Sequence, residues 1–219
     1  MAIAILGKKI GMTQFFDDMG NRIPVTVVEA GPCQVLKVKT AEGADGYDAV
    51  VLGLGKARLK SLTRPEKGVF AKLNVEAPEV VREIRVSPEE ALLYSPGSAV
   101  DVSLFQVGER VDVTAKSRGR GFTGVMKRHG FHGFGRTHGV HEYQRHSGSI
   151  GCRTTPGRVQ KGMRMAGRHG DHQFTILNQR VIAIYPAQNL ILIEGGVPGA
   201  PNSLVTIRKA VKVPIKKSA

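Results

Sequence analysis

Three pairs of histidines stand three residues apart: His129 and His132, His138 and His141, His169 and His172. On a helix each pair would share a face and could ligate zinc. The neighbours argue against this. Glycines interrupt the stretch, so no helix is expected to present these pairs. Metal sites also draw on carboxylates, as ligands or as acceptors behind them. Only Glu142 and Asp171 are at hand. Dense positive charge would repel a cation. A His-rich metalloenzyme is therefore the minor reading, and no Ser-His-acid arrangement can be argued with so few acids. Histidine in this setting better suits stacking on bases or donating to phosphate and 2′-hydroxyl groups.

Two glycine patterns resemble nucleotide sites. Gly119-Arg-Gly121-Phe-Thr-Gly124 has the G-x-G-x-x-G spacing after a strand-like stretch, 109–114. A dinucleotide fold would then need a helix, a second strand and an acid about 20 residues on. Glu142 is near that distance, but 127–141 is rich in Gly and His and offers neither element. Gly157 and Gly162 have P-loop spacing, yet Met163-Arg164 replaces the Lys-Ser/Thr that would hold phosphate and magnesium. One plainer reading covers both. Gly beside Arg or Lys lets the backbone approach a phosphate while its neighbour neutralises the charge. Cys152 lies beside Arg153, which favours a thiolate. With no base or resolving cysteine suggested, it reads as a small loop residue, and Cys33 reads as core. Two cysteines at this spacing form no metal motif, so a reducing compartment is the default. No cofactor or small-molecule substrate is implied.

The charge is strongly localised. The 219 residues hold 32 Lys and Arg against 18 Asp and Glu, a formal net of +14. Residues 116–172 hold 12 of the basic residues and only two acids, for +10. All seven histidines and 13 of the 27 glycines lie there. The expected phosphate contacts are Lys116, Arg118, Arg120, Lys127, Arg128, Arg136, Arg145, Arg158, Lys161, Arg164 and Arg168. Arg outnumbers Lys nine to three, and its planar fork suits phosphate and base stacking. The only Val, Ile or Leu residues are Val125, Val140, Ile150 and Val159. Such a segment cannot bury enough apolar surface to offset its own entropy, so it should order only when a partner supplies contacts. A solvated loop of this length inside a compact domain is improbable without a function. Compaction of duplex DNA is disfavoured, because no groove-reading helix is evident and an irregular arm suits folded RNA. Phe122, Phe131, Phe134, Tyr143 and Phe174 interleave the charges. They could stack on bases or pack the arm's own sparse core, and the sequence leaves both open.

The flanks must carry this arm. Short apolar runs at 12–16, 23–29, 33–39 and 47–54 alternate with turn residues, and 97–104, 109–114, 175–177, 181–185, 190–194 and 204–208 continue the pattern. This spacing suggests a small β-barrel or sandwich. Residues 56–96 break the rhythm with a basic stretch, a helical turn at 70–73, a strand at 80–86 and a helix start at Ser87-Pro88. They are expected to form a small α+β insertion. The expected organisation is a globular β domain over 1–115 and 173–219, with 116–172 as an extension whose ends emerge close together. Residues 209–219 read as a short basic tail. No apolar run approaches the ~18 residues of a membrane span, and the N-terminus is unlike a secretory signal. The expectation is a soluble intracellular protein.

Specific runs then point to a family. Ile5-Leu-Gly-Lys-Lys-Ile-Gly-Met-Thr-Gln and Ile23-Pro-Val-Thr-Val-Val resemble the start of the large-subunit ribosomal protein L3 family in its bacterial form. The likeness continues through Val111-Asp-Val-Thr, Gly119-Arg-Gly-Phe-Thr-Gly-Val-Met-Lys-Arg, Gly148-Ser-Ile-Gly, Thr155-Pro-Gly-Arg-Val, Lys161-Gly-Met-Arg-Met-Ala-Gly and Asn189-Leu-Ile-Leu-Ile-Glu-Gly-Gly-Val-Pro-Gly. The resemblance implies a Greek-key β-barrel of the translation-protein type. It also implies an extension that enters 23S-type rRNA, a role early in subunit assembly, neighbours such as proteins L14 and L19, and no enzymatic activity. It puts the tip of the extension, near the peptidyl transferase centre, at Ser149, Ile150, Gly151, Cys152, Arg153 and Thr154. This chain departs from the family pattern at Thr114-Ala-Lys-Ser-Arg-Gly and at His129-Gly-Phe131. Thr154 stands where some members carry a methylated glutamine, and Cys152 and Arg153 also differ from common tip residues.

Overall fold

The computed structural model describes residues 3–212. The chain forms two compact units, one of Met1–Lys116 with Gln173–Ala219 and the other of Ser117–His172. Alternating apolar residues build the first unit as sheet. β1 (Ala4–Phe16) and β2 (Arg22–Ala30) form a long antiparallel hairpin with a register shift between Lys9 and Gly11. β3 (Cys33–Lys39) and β4 (Ala49–Leu54) follow. The chain then enters α1 (Arg64–Lys72), β5 (Val80–Arg85), α2 (Pro88–Ala91) and β6 (Ala99–Val100). Both helices begin with a proline in the first turn, and Thr63 N donates to Glu66 Oε2 at 2.8 Å ahead of α1. β7 (Arg110–Lys116) leads into the second unit, which contains β8 (Phe122–Thr123), α3 (Val125–His129) and β9 (Gly167–Arg168). The first unit resumes with β10 (Gln173–Tyr185), β11 (Leu190–Glu194) and β12 (Leu204–Lys209).

Six strands pair in the ring β1-β12-β7-β10-β11-β2, which closes on itself as a barrel. Closure leaves no open edge in this sheet. The inward residues are completely buried: Ile5, Val28, Val111, Val113, Val181, Ile191, Ile193, Val205 and Ile207. Each such side chain contributes about 1.5–3 kcal/mol of apolar burial. A second, four-stranded sheet runs β5-β4-β3-β6. Its Cys33, Val35, Val50 and Leu52 join the same core cluster as the barrel residues.

The mainly β expectation holds, with local differences. Residues 56–96 carry α1, β5 and α2. β5 pairs along β4 from Leu54↔Val80 to Ala49↔Arg85, so one sheet spans that boundary. The strand expected over 97–104 shrinks to β6. Beyond it Leu104 N bonds back to Asp101 O at 3.2 Å, and Val102–Leu104 turns as a 3-10 helix. The strands expected at 175–177 and 181–185 are one strand, β10. The stretch after Leu177 reads as a break, but Leu177 and Asn178 form a bulge between Ile176 and Gln179, with Asn178 at φ +58°. The buried Asp112 side chain stabilises that bulge by accepting from Asn178 N at 3.0 Å. The basic tail expected over 209–219 lies, from residue 213 on, outside the described residues.

Candidate nucleic-acid interface

Lys116 and Gln173 face each other as Cα partners at the ends of β7 and β10. The chain therefore leaves and re-enters the barrel at adjacent strand ends. Within the second unit the two chain segments stay joined through a hydrogen-bonded neck. Ser117 N donates to His172 O at 2.9 Å, and His172 N donates to Ser117 Oγ at 3.3 Å. Arg120 N reaches His169 O at 2.9 Å, and His169 N reaches Gly121 O at 3.0 Å. β8 and β9 extend the pairing through Phe122↔Arg168 and Thr123↔Gly167. Gly170 is required here. Its φ is +75°, and a Cβ would collide with the carbonyl of Arg118.

Above the neck, α3 ends on Lys127, Arg128 and His129, and Gly130 closes it in the left-handed conformation at φ +75°. Cations in a last turn complement the carbonyl end of the helix. Arg128 Nη1 donates to Met165 O at 2.7 Å, and His129 Nε2 lies 3.1 Å from the same oxygen. Those contacts hold the returning chain. Phe134 N donates to Gln144 O at 3.0 Å beside a 3-10 helix at His141–Arg145. Only Thr123 and Val125 of this unit are buried, and residues 151–166 are exposed throughout. The unit is thus tied by backbone hydrogen bonds rather than by an apolar core.

The expected contact residues fall into two groups. Arg120 and Arg128 gather with His129 and His172 around His169. Partial desolvation and these positive neighbours hold the His169 imidazole below its ordinary pKa. Arg168 pairs with Asp171 at 3.1 Å, and Arg118 is exposed beside this cluster in sequence. Arg136, Arg145, Arg153, Arg158, Lys161 and Arg164 are spread along the exposed remainder, and their side chains make no hydrogen bond or ion pair among the described residues. Lys127 is exposed on α3, and Lys116 is exposed at the end of β7 in the first unit. At the expected tip, Ser149 Oγ donates to Gly151 O at 3.3 Å, and Ser149, Ile150, Gly151, Cys152, Arg153 and Thr154 are all exposed.

The structure decides the aromatic question that the sequence left open. Phe122 is 83% exposed, Tyr143 58% and Phe134 52%, so these rings do not pack a core. Phe131 is half-buried, with its ring edge-on to His129. The histidine pairs differ slightly from expectation. His129 does end a short helix, but His132 lies past its cap, and His138 and His141 both adopt positive φ. Among the described residues no group of three or more His, Cys, Asp or Glu could hold a metal ion. Ser117 and Asp171, which tie the neck, carried no sequence signal beyond flanking the basic run.

What the site offers chemically is a set of exposed guanidinium and ammonium groups, exposed rings and glycine-rich backbone. Comparison with known proteins agrees in kind. The family model described as Ribosomal protein L3 matches residues 72–189. A Large ribosomal subunit protein uL3 from Brachyspira hyodysenteriae is 46% identical over 215 residues, covering 98% of this chain and 97% of that one. The protein of that name from Prochlorococcus marinus strain AS9601 is 47% identical, with 95% and 94% covered. That from Sorangium cellulosum is 49% identical, with 95% and 89% covered. A match that runs almost end to end, through the barrel strands and the arginine-bearing unit alike, leaves one conclusion: this chain belongs to the ribosomal protein L3 family.

Proposed function

We propose that this chain is a cytoplasmic structural constituent of the large ribosomal subunit and that it binds 23S-type rRNA through residues 116–172. One observation carries the reading. Arg136, Arg145, Arg153, Arg158, Lys161 and Arg164 stand exposed and unpaired on a unit that buries only two side chains. A protein gains nothing for its own stability from such an array, whereas a polyphosphate neutralises it. Exposed Phe122, Phe134 and Tyr143 add stacking surfaces for unpaired bases.

Family membership supports the finer parts of the proposal. The barrel is of the Greek-key, translation-protein type and anchors the chain on the subunit. The 116–172 extension threads between rRNA helices and takes its final form there. Its tip, Ser149 to Thr154, approaches the peptidyl transferase centre, the chain acts early in assembly, and L14 and L19 are its protein neighbours. Peptide-bond chemistry belongs to the RNA, and this chain contributes no catalytic group.

The test is binding of full-length chain to transcribed large-subunit rRNA across a salt series. An Arg136→Gln/Arg145→Gln/Arg158→Gln variant should reduce the slope of log affinity against log salt by about 2–3, at roughly 0.7–0.9 for each phosphate left without its cation. An unchanged slope and affinity would sink the reading. Equal affinity for duplex DNA and for the rRNA at one salt concentration would favour general polyanion binding instead.

A further inference from the structure

The net charge of the first unit also has a definite address. Residues 56–72 hold Lys56, Arg58, Lys60, Arg64, Lys67 and Lys72 against the single acid Glu66, a net of +5. That equals the net charge of the whole unit, because its other basic and acidic residues balance at 15 each. All six cations are exposed. Lys56 pairs with Glu76 at 2.7 Å, and Arg58 lies in the field of Glu79. The side chains of Lys60, Arg64, Lys67 and Lys72 make no hydrogen bond or ion pair among the described residues. Glu66 accepts from both Thr63 N and Thr63 Oγ1 at 2.8 Å, which directs its carboxylate to the start of the helix.

Helical spacing decides which way the cations point. Arg64, Lys67, Gly68, Ala71 and Lys72 follow the i, i+3, i+4, i+7, i+8 pattern and share one side of α1. Phe70 and Leu73, both half-buried, lie on the opposite side, with Glu66 beside them. No residue of α1 is buried, so the helix rests lightly on its own fold. Gly68 stands between the cations. A glycine inside a helix is unfavourable relative to alanine, and a Cβ at Gly68 would meet nothing within 4 Å. The fold itself has no use for a missing side chain there.

We infer that the cationic face of α1, with Lys60 just ahead of it, is a second RNA-contact surface, which docks on the sugar-phosphate backbone of folded RNA. The inference rests on the rRNA-binding reading above and adds a contact outside the 116–172 extension. Charge selects the occupant. A protein partner would be expected to seat aromatic or aliphatic anchors in a dry centre. The centre of this face is Gly68 and Ala71, rimmed by Arg64, Lys67 and Lys72, and it offers no such anchor; the exposed Val69 lies outside that rim, on the Leu73 side. Phosphate contact needs only cations and close approach. The contact would position the chain without reading sequence.

The experiment uses full-length chain and transcribed large-subunit rRNA in filter binding from about 50 to 300 mM KCl. An Arg64→Gln/Lys67→Gln/Lys72→Gln variant should lower the salt slope by about 2–3 and weaken binding at least tenfold near 150 mM. Gly68→Gln keeps the charge. It should weaken binding several-fold, keep the slope, and leave the melting temperature unchanged or raised. The Arg136/Arg145/Arg158 variant is the control. If the control weakens binding while the α1 variants leave affinity and slope unchanged, the inference is overturned and the rRNA reading stands. If none of the variants weakens binding, both are overturned. If the α1 variants bind rRNA normally but fail to enter reconstituted subunits, the face meets a protein, and the inference is likewise overturned.

Discussion

Replacing the 56 residues of Ser117–His172 with a two-residue Asn-Gly turn separates the two jobs of this chain. Lys116 and Gln173 are already cross-strand partners on β7 and β10, so a tight hairpin can join them. Every residue of the buried core cluster lies outside the excised stretch, so no cavity opens in the barrel. Shortening the connection lowers its closure entropy. On the (3/2)RT ln n relation the gain is about 3 kcal/mol for 56 residues reduced to two. That is an upper limit, because the neck hydrogen bonds already restrain the natural connection. For a remaining domain of this size the limit corresponds to a rise in melting temperature of about 6–12 °C. Thermal and urea unfolding followed by circular dichroism would measure it. Unchanged or raised stability, together with loss of stable incorporation into large subunits, is the expected pair of results. A loss above about 2 kcal/mol would refute the claim that the barrel core is complete without the unit. Normal incorporation would refute the assignment of binding to it.

Asp112 gives a second prediction. It is 1% exposed, accepts from Asn178 N and Val211 N, and lies 3.6 Å from Arg208. Asp112→Ala should destabilise the chain by about 3–4 kcal/mol, because it strands two backbone donors and a partly covered guanidinium. Asp112→Asn, which keeps an acceptor oxygen, should cost about half as much, and equal losses in urea unfolding would count against the hydrogen-bonding account. Cys33 is fully buried, and burial first of all pushes its thiol up to about 11. A thiol reagent at pH 8 should label only exposed Cys152 in the native chain and both cysteines in denaturant; two native thiols titrating would contradict this. The hydrogen bond from Lys39, then that from Tyr47, holds the Glu83 carboxyl below its ordinary value of 4.5, and Lys39 is correspondingly raised, with Glu83 the foremost cause. A depressed carboxylate stabilises above 4.5 and loses that contribution as pH falls through its folded value. Glu83→Gln should therefore lower the urea midpoint at pH 7, and the gap should close at low pH; a gap independent of pH would reject the ion-pair origin.

The sequence by itself determined the charge map and the family likeness. Both are properties of residue identity and order, so +10 on residues 116–172 is legible without coordinates. It also revealed most strand positions, since period-two alternation survives wherever one face is buried, as in Val111, Val113 and Ala115. What it misread were places where a distant partner overrides local pattern. Asn178 looks like a strand end until the buried carboxylate of Asp112, far away in sequence, accepts from its N–H and makes it a bulge within β10. Nothing in the local pattern of residues 56–96 says which strand β5 joins, and its hydrogen bonds run along β4. Phe122 and Phe134 read equally as core or as stacking surface, because exposure belongs to the neighbours and not to the ring. The cations of 56–72 were visible as letters, but only the fold turned Phe70 and Leu73 inward and left Arg64, Lys67 and Lys72 on the open side of α1. Composition says which groups are present. Tertiary contacts decide which of them remain free to meet a partner.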